Sequence, residues 1–279
     1  MVGTIPAEIE GLEFLEDLIL NDNLLVSSIP PELGNMKSLK KFDLGRNYLE
    51  FGLPSSLGNL NGLTYLDVNR NILIGSLPSS LGNLRSLKTL NINYNWFSGR
   101  LPSSIGDLTA LTDLDIGDNE FTGPLPSELG KLRSLSVLSV SRNHFNDSLP
   151  SSLADLNKLT FLSLSFNNFT GSLPSWIGNW KDLTTLWLQE NGFHGGLPTE
   201  VGTLTDLETL SLRANSFSGT LPTEIGLLTS LFRLDISSNK LTAIPVELLH
   251  HPSIRDLCLQ DNLFNKSILN IESHPGNCQ

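Results

Sequence analysis

LTDLDIGDNEFTGPLPSELGKLRS, from Leu111 to Ser134, decides the fold, because LSVLSVSRNHFNDSLPSSLADLNK, from Leu135 to Lys158, repeats its apolar, asparagine, phenylalanine and proline positions. Working outward, Asn119 belongs to the series Asn23, Asn47, Asn71, Asn95, Asn119, Asn143, Asn167, Asn191, Asn215 and Asn239, with Asn262 one residue early. Prolines keep the same beat from Pro6 through Pro222, and again at Pro245. A fixed period of 24 over 279 residues means stacked units, each of which buries its apolar side only against its neighbours. Function must therefore be sought on a repeated surface.

Around each Asn the chain reads L-x-x-L-x-L-x-x-N-x-[LF], as in Leu159, Leu162, Leu164, Asn167 and Phe169, with Phe42, valines and isoleucines as substitutes. L-x-L predicts a short strand with two inward side chains and one outward between them. The Asn turns the chain inward, where its amide serves backbone groups that have lost water. Two residues on, Phe97, Phe121, Phe145, Phe169, Phe193 and Phe217 predict a stacked aromatic spine inside the coil.

The second half of each unit reads G-x-L-P-x-x-[LI]-G-x-L, as in Gly99, Leu101, Pro102, Ile105, Gly106 and Leu108. With this motif the chain resembles the plant-type leucine-rich repeat family: ectodomains of receptor-like kinases and receptor-like proteins, and secreted inhibitors of pectin-degrading enzymes. The resemblance implies a right-handed α/β solenoid with a concave parallel β-sheet, second short strands at G-x-L-P and 3₁₀ turns on the convex side. It spans residues 1–269 as about eleven units, the first truncated, followed by a tail at 270–279. Ser27, Phe51, Ala243, Asp147 and Ala154 depart from the motif.

The net charge is -11 with 17% charged residues, which disfavours nucleic acid and anionic lipid for want of a basic face. No apolar run reaches the roughly 20 residues of a membrane span. Met1 falls mid-unit, so leader, cap and anchor are expected outside this chain. Cys258 and Cys278 are the two cysteines, and a disulfide between them is left open as a tie for the tail. With His250, His251 and His274 they match no zinc spacing, so neither metal nor cofactor is expected. Sequons stand at Asn146, Asn168 and Asn265, candidates for glycosylation in an extracellular compartment.

Outward strand positions are free to vary and carry the information about partners. The L-x-L column runs Ile19, Asp43, Asp67, Asn91, Asp115, Ser139, Ser163, Trp187, Ser211, Asp235 and Cys258, with Tyr65 beside its acidic part. Strands about 4.8 Å apart bring these carboxylates into repulsive range. Two readings stand: a face neutralised by Lys41, Arg46 and Arg70, or an acidic patch for a basic partner. Farther along, Phe161, Phe166 and Trp187 are expected on adjacent strands with Glu190 beside them, either as interaction anchors or as packing within the inner surface. Arg213 and Arg233 offer charge to an anionic group. The Asp113, Asp115 and Asp118 cluster implies no cleft, and no serine or cysteine has a histidine in strand register, so catalysis is not expected.

The composite expectation is a non-catalytic extracellular module that binds a protein or peptide ligand on its concave face, the ectodomain of a receptor-like protein in signalling or defence. A secreted inhibitor of cell-wall-degrading enzymes is the alternative, and an intracellular scaffold the third.

Overall fold

The computed structural model describes residues 1–264 and divides into two compact units, Met1–Phe145 and Asn146–Gln279. In the first, the strands Asp17–Ile19, Lys41–Asp43, Tyr65–Asp67, Thr89–Asn91, Asp113–Asp115 and Val137–Ser139 form a parallel sheet, each residue opposite the one 24 positions on. In the second, Phe161–Ser163, Thr185–Trp187, Thr209–Ser211 and Arg233–Asp235 do the same, and Asp256–Cys258 pairs with the last of them at an offset of 23. Second strands such as Leu24–Ser27, Trp96–Gly99 and Glu120–Gly123 in the first unit, and Asn168–Gly171, Gly192–Gly195 and Ser216–Thr220 in the second, build a further set of parallel pairings. The stacked sheets and repeated turns are those the motif predicts.

Proline explains the turns. Each 3₁₀ segment follows a proline with φ between -62° and -82°, as Ser55–Asn59 follows Pro54 at -67°. From Pro54 the bonds run in threes: Leu57 N donates to Pro54 O (3.1 Å), Leu60 N to Leu57 O (3.0 Å) and Leu63 N to Leu60 O (2.8 Å). A period of three eclipses these side chains on one face, and all three leucines are fully buried. The glycine within most of these turns, replaced by Ala154 in Ser151–Asp155, answers a stacking demand: a methyl group on Gly58 would lie 2.2 Å from the Ser80 carbonyl oxygen. In the second unit Trp180 takes the place of a leucine and its indole N–H donates to Leu153 O at 3.0 Å.

The asparagines close each coil onto the one before. Asn119 Nδ2 donates to Ile116 O (3.2 Å) and Gly117 O (3.0 Å) in its own turn and to Ile92 O (3.0 Å) one coil back, while its Oδ1 accepts from Phe97 N (2.9 Å). The same four bonds recur at Asn95 and, in the second unit, at Asn215 and Asn239. Asn262, one residue early, still donates to Ile236 O (2.9 Å) and accepts from Leu241 N (3.0 Å). That coil is shortened between Asn239 and Pro245, where the pairing of Ser216–Thr220 with Lys240–Ala243 shifts register after Gly219, and the α-helical turn Val246–Leu249 beyond it replaces a 3₁₀ segment.

Inside the first unit the Phe97 and Phe121 rings stack at 6.4 Å and Phe121 and Phe145 at 6.0 Å, nearly parallel. In the second, Phe169, Phe193 and Phe217 repeat this at 6.1 and 6.3 Å. The spine is core, as expected.

One feature was not expected. The residue before each asparagine, from Asp22, Arg46, Arg70, Tyr94, Asp118 and Arg142 to Phe166, Glu190, Ala214, Ser238 and Asp261, adopts a left-handed backbone with φ of 48° to 58°, uncommon for residues other than glycine. Ser27, Phe51 and Asp147 likewise keep the positive φ (65° to 73°) that Gly75, Gly99 and Gly123 adopt in the same motif position. These departures therefore change the residue and leave the turn intact.

Candidate recognition surfaces

In the first unit the acidic column is tied down by donors other than the lysine and arginines expected. Asp43 Oδ1 accepts from Gly45 N (3.2 Å), Asp67 Oδ1 from Asn69 N (2.8 Å) and Asp115 Oδ1 from Gly117 N (3.0 Å). An outward carboxylate thus caps the backbone turn that follows its own strand. Asp67 Oδ2 also accepts from Tyr65 Oη (3.1 Å) and Asn91 Nδ2 (3.1 Å), and Asp115 Oδ2 from Asn93 Nδ2 (2.6 Å). Arg46 pairs with Asp22, Lys41 Nζ lies over the Tyr65 ring at 4.9 Å, and Arg70 lies over the Tyr94 ring at 4.6 Å. The basic residues are thus drawn to the turn row and to aromatic faces.

Asp67 is only 7% exposed, because the neighbouring side chains lean across it. Burial raises its pKa, against the lowering effect of its bond from Asn69 N. Burial, then the Asp67 and Asp43 charges, push the Tyr65 hydroxyl up to about 12. A phenol neutral in the folded chain but ionised in the unfolded one makes the folded state bind more protons, so stability must fall with rising pH. The loss is expected between the ordinary tyrosine value of 10.0 and about 12. Melting temperatures of wild type and Tyr65→Phe across that alkaline window check this: the variant should lose less, and parallel curves would remove Tyr65 as the cause.

In the second unit Phe161 and Trp187, at the start and end of adjacent strands, meet edge to face with ring centres 5.2 Å apart. Trp187 is 37% exposed, whereas Ser163, its register partner, is buried. Phe166 is not on a strand: it occupies the left-handed turn position (φ 55°) and is half-buried. Glu190 holds that position one coil on and accepts an ion pair from Arg213 Nη1 at 3.0 Å. Arg233, half-buried at the start of its strand, has no carboxylate within pairing distance among the described residues. Phe161, Trp187 and Arg233 are brought onto one sheet, whereas Arg213 follows the strand Thr209–Ser211 and part of its charge is already taken by Glu190.

Cys258, in the outward column, is in fact 1% exposed and carries no free thiol. Its sulfur is engaged in a disulfide, while Cys278, Asn265 and the tail 270–279 lie outside the described residues. Asn146 and Asn168 are exposed and face each other on adjacent short strands.

Sequence reasoning missed a hollow of 380 Å³ in the first unit, walled by Tyr94, Trp96, Asp118, Glu120 and Arg142. Tyr94, Asp118 and Arg142 are successive left-handed turn residues, and Trp96 and Glu120 follow the asparagine in neighbouring coils. Trp96 is 58% exposed. Arg142 Nε lies 3.7 Å from Asp118 Oδ1, and His144 Nε2 lies 2.7 Å from Glu120 Oε2. Burial raises the Asp118 pKa and the Arg142 charge partly offsets it. The legible signal was the coincidence, in one coil, of aromatics at two positions that folding leaves free.

Seven segments, 38–60, 62–84, 86–108, 110–132, 134–156, 158–180 and 206–228, match the Leucine Rich Repeat family model. They make up more than half of the chain, which belongs to the leucine-rich repeat family. No curated protein sequence matches. Among solved structures, the plant peptide hormone receptor RGFR1 in complex with RGF2 superposes with a TM-score of 0.93 at 35% identity over 94% of this chain and 42% of that one. A TDR receptor follows with a TM-score of 0.91 at 31% identity over 95% and 48%. A plant ice-binding protein matches with a TM-score of 0.69 at 26% identity over 79% and 71%. The chain spans less than half the length of either receptor chain. No helix among the described residues is long and apolar enough to cross a membrane.

Proposed function

We propose that this chain is a non-catalytic recognition module of a receptor-like protein, which binds a protein or peptide ligand outside the cell on the open face of the strands in its second unit. The observation that carries this reading is the edge-to-face Phe161–Trp187 pair, set on a sheet face otherwise furnished with Thr185, Thr209 and Ser211. Folding needs no aromatic at outward positions, and large rings surrounded by polar groups are characteristic of binding anchors. Arg213 and Arg233 supply donors for a carboxylate of the ligand. The peptide complex of the similar receptor supports the ligand class, and the bonded sulfur of Cys258 with the exposed sequons Asn146 and Asn168 supports an oxidising, secretory environment.

The test is calorimetric titration of the intact protein with peptides selected from a secreted-peptide library, followed by the triple variant Phe161→Ser, Phe166→Ser, Trp187→Ser. Loss of two anchors that together contribute about 2 kcal/mol or more should weaken the selected peptide at least roughly thirtyfold. Undiminished affinity in a folded triple variant would remove this face as the contact.

A further inference from the structure

We propose that the hollow between Tyr94 and Trp96 on one side and Asp118 and Glu120 on the other is a second binding site, built for an uncharged saccharide ring. Three observations lead there. First, the aromatics are arranged as a platform: Trp96 is largely exposed, and the Tyr94 ring is held by the Arg70 guanidinium at 4.6 Å. The carbon–hydrogen face of a pyranose is flat and weakly apolar, and it covers such rings without requiring a charge. Among the described residues, neither the Trp96 indole N–H nor the Tyr94 hydroxyl donates to a protein acceptor, so both remain for a ligand.

Second, the carboxylates are positioned by their neighbours. Asp118 stands beside Arg142 and Glu120 beside His144. A carboxylate offers more acceptor sites than one partner uses, which suits the paired hydroxyls of a sugar. Arg70 and Arg142 act against the charge of Asp118, and a lysine or arginine of a peptide would have to enter beside Arg142. Third, 380 Å³ falls in the range of about 300–1,000 Å³ common for small-molecule sites. The platform belongs to one place in the unit, since the equivalent pairs in the flanking coils are Arg70 with Ile72 and Asp118 with Glu120.

The test titrates the intact protein separately with cellohexaose, mannohexaose, an oligogalacturonate and tetralysine, and follows saturation transfer to the ligand by NMR. At least one neutral hexaose should bind at millimolar concentration or better. Trp96→Ala should weaken it about tenfold or more, Trp96→Phe should restore part, and Asp118→Asn should weaken it further. Phe161→Ser with Trp187→Ser should leave it unchanged, which separates this site from the strand-face reading. Silence from both neutral hexaoses, binding of only oligogalacturonate or tetralysine, or an unaltered signal in folded Trp96→Ala would each overturn the proposal.

Discussion

Phe121→Ala is expected to destabilise the first unit by about 3–5 kcal/mol. The ring is fully buried and lies between Phe97 and Phe145 at 6.4 and 6.0 Å, so its removal opens a void with an aromatic wall on each side. Relaxation is limited because both neighbours belong to coils whose backbones are fixed by strand pairing and by the asparagines. Truncation forfeits the transfer energy of the ring and both stacked contacts. Phe121→Leu should cost markedly less, since the first coils of the same unit carry Leu25, Leu49 and Leu73 at this position and bury them almost completely. Chemical denaturation of the two variants measures the difference. Equal midpoints for Phe121→Ala and Phe121→Leu would overturn the expectation that aliphatic volume can fill this site, and a Phe121→Leu midpoint equal to that of wild type would show that ring stacking adds nothing here.

Asn119→Ala should cost roughly 3 kcal/mol, the cost of leaving a buried N–H and buried carbonyls without partners. Four bonds disappear together: those to Ile92 O, Ile116 O and Gly117 O, and the one from Phe97 N. Asn119→Asp separates hydrogen bonding from packing. At neutral pH the carboxylate keeps an acceptor for Phe97 N but presents an oxygen to three carbonyls, so the variant should be at least as unstable as alanine. Protonation restores one donor, so the folded form of the variant favours the neutral acid and should regain stability as pH falls. Hydrogen exchange at Phe97 N and Phe121 N, read as a function of pH, reports both effects locally, which suits a repeat protein whose coils open in part. A pH-independent loss equal to that of alanine would assign the cost to packing.

The frame was legible because each coil states the same demands again: Asn119 and Asn95 recur in the sequence and make the same four bonds, and Pro54 keeps the beat that opens each 3₁₀ turn. The surface was less so, because an outward position is not always an exposed one. Asp67 and Ser163 point outward by strand alternation and are buried by side chains leaning from the next strands. The partners of Lys41, Arg46 and Arg70 were misplaced for a related reason. Strand register put them near Asp43 and Asp67, but long side chains reach along the sheet to whichever ring or carboxylate is least screened. Phe166 was assigned to a strand because its left-handed turn has no residue signature: arginine, tyrosine, aspartate, phenylalanine, glutamate, alanine and serine all occur there. The Tyr94–Trp96 hollow escaped because it joins two rows that are not adjacent in strand register.

The reach of each asparagine into the preceding coil has a consequence for how such a chain changes over time. Every coil asks the same thing of its predecessor, one carbonyl and one amide group at fixed offsets, and Asn262 shows that a coil one residue short still meets the request when the residue is lost between Asn239 and Pro245. Unequal crossing-over between any two copies in the gene would thus yield a longer or shorter product in which each junction is chemically indistinguishable from the originals. Length can drift by whole modules at little thermodynamic risk, leaving selection to act on the few outward side chains that differ.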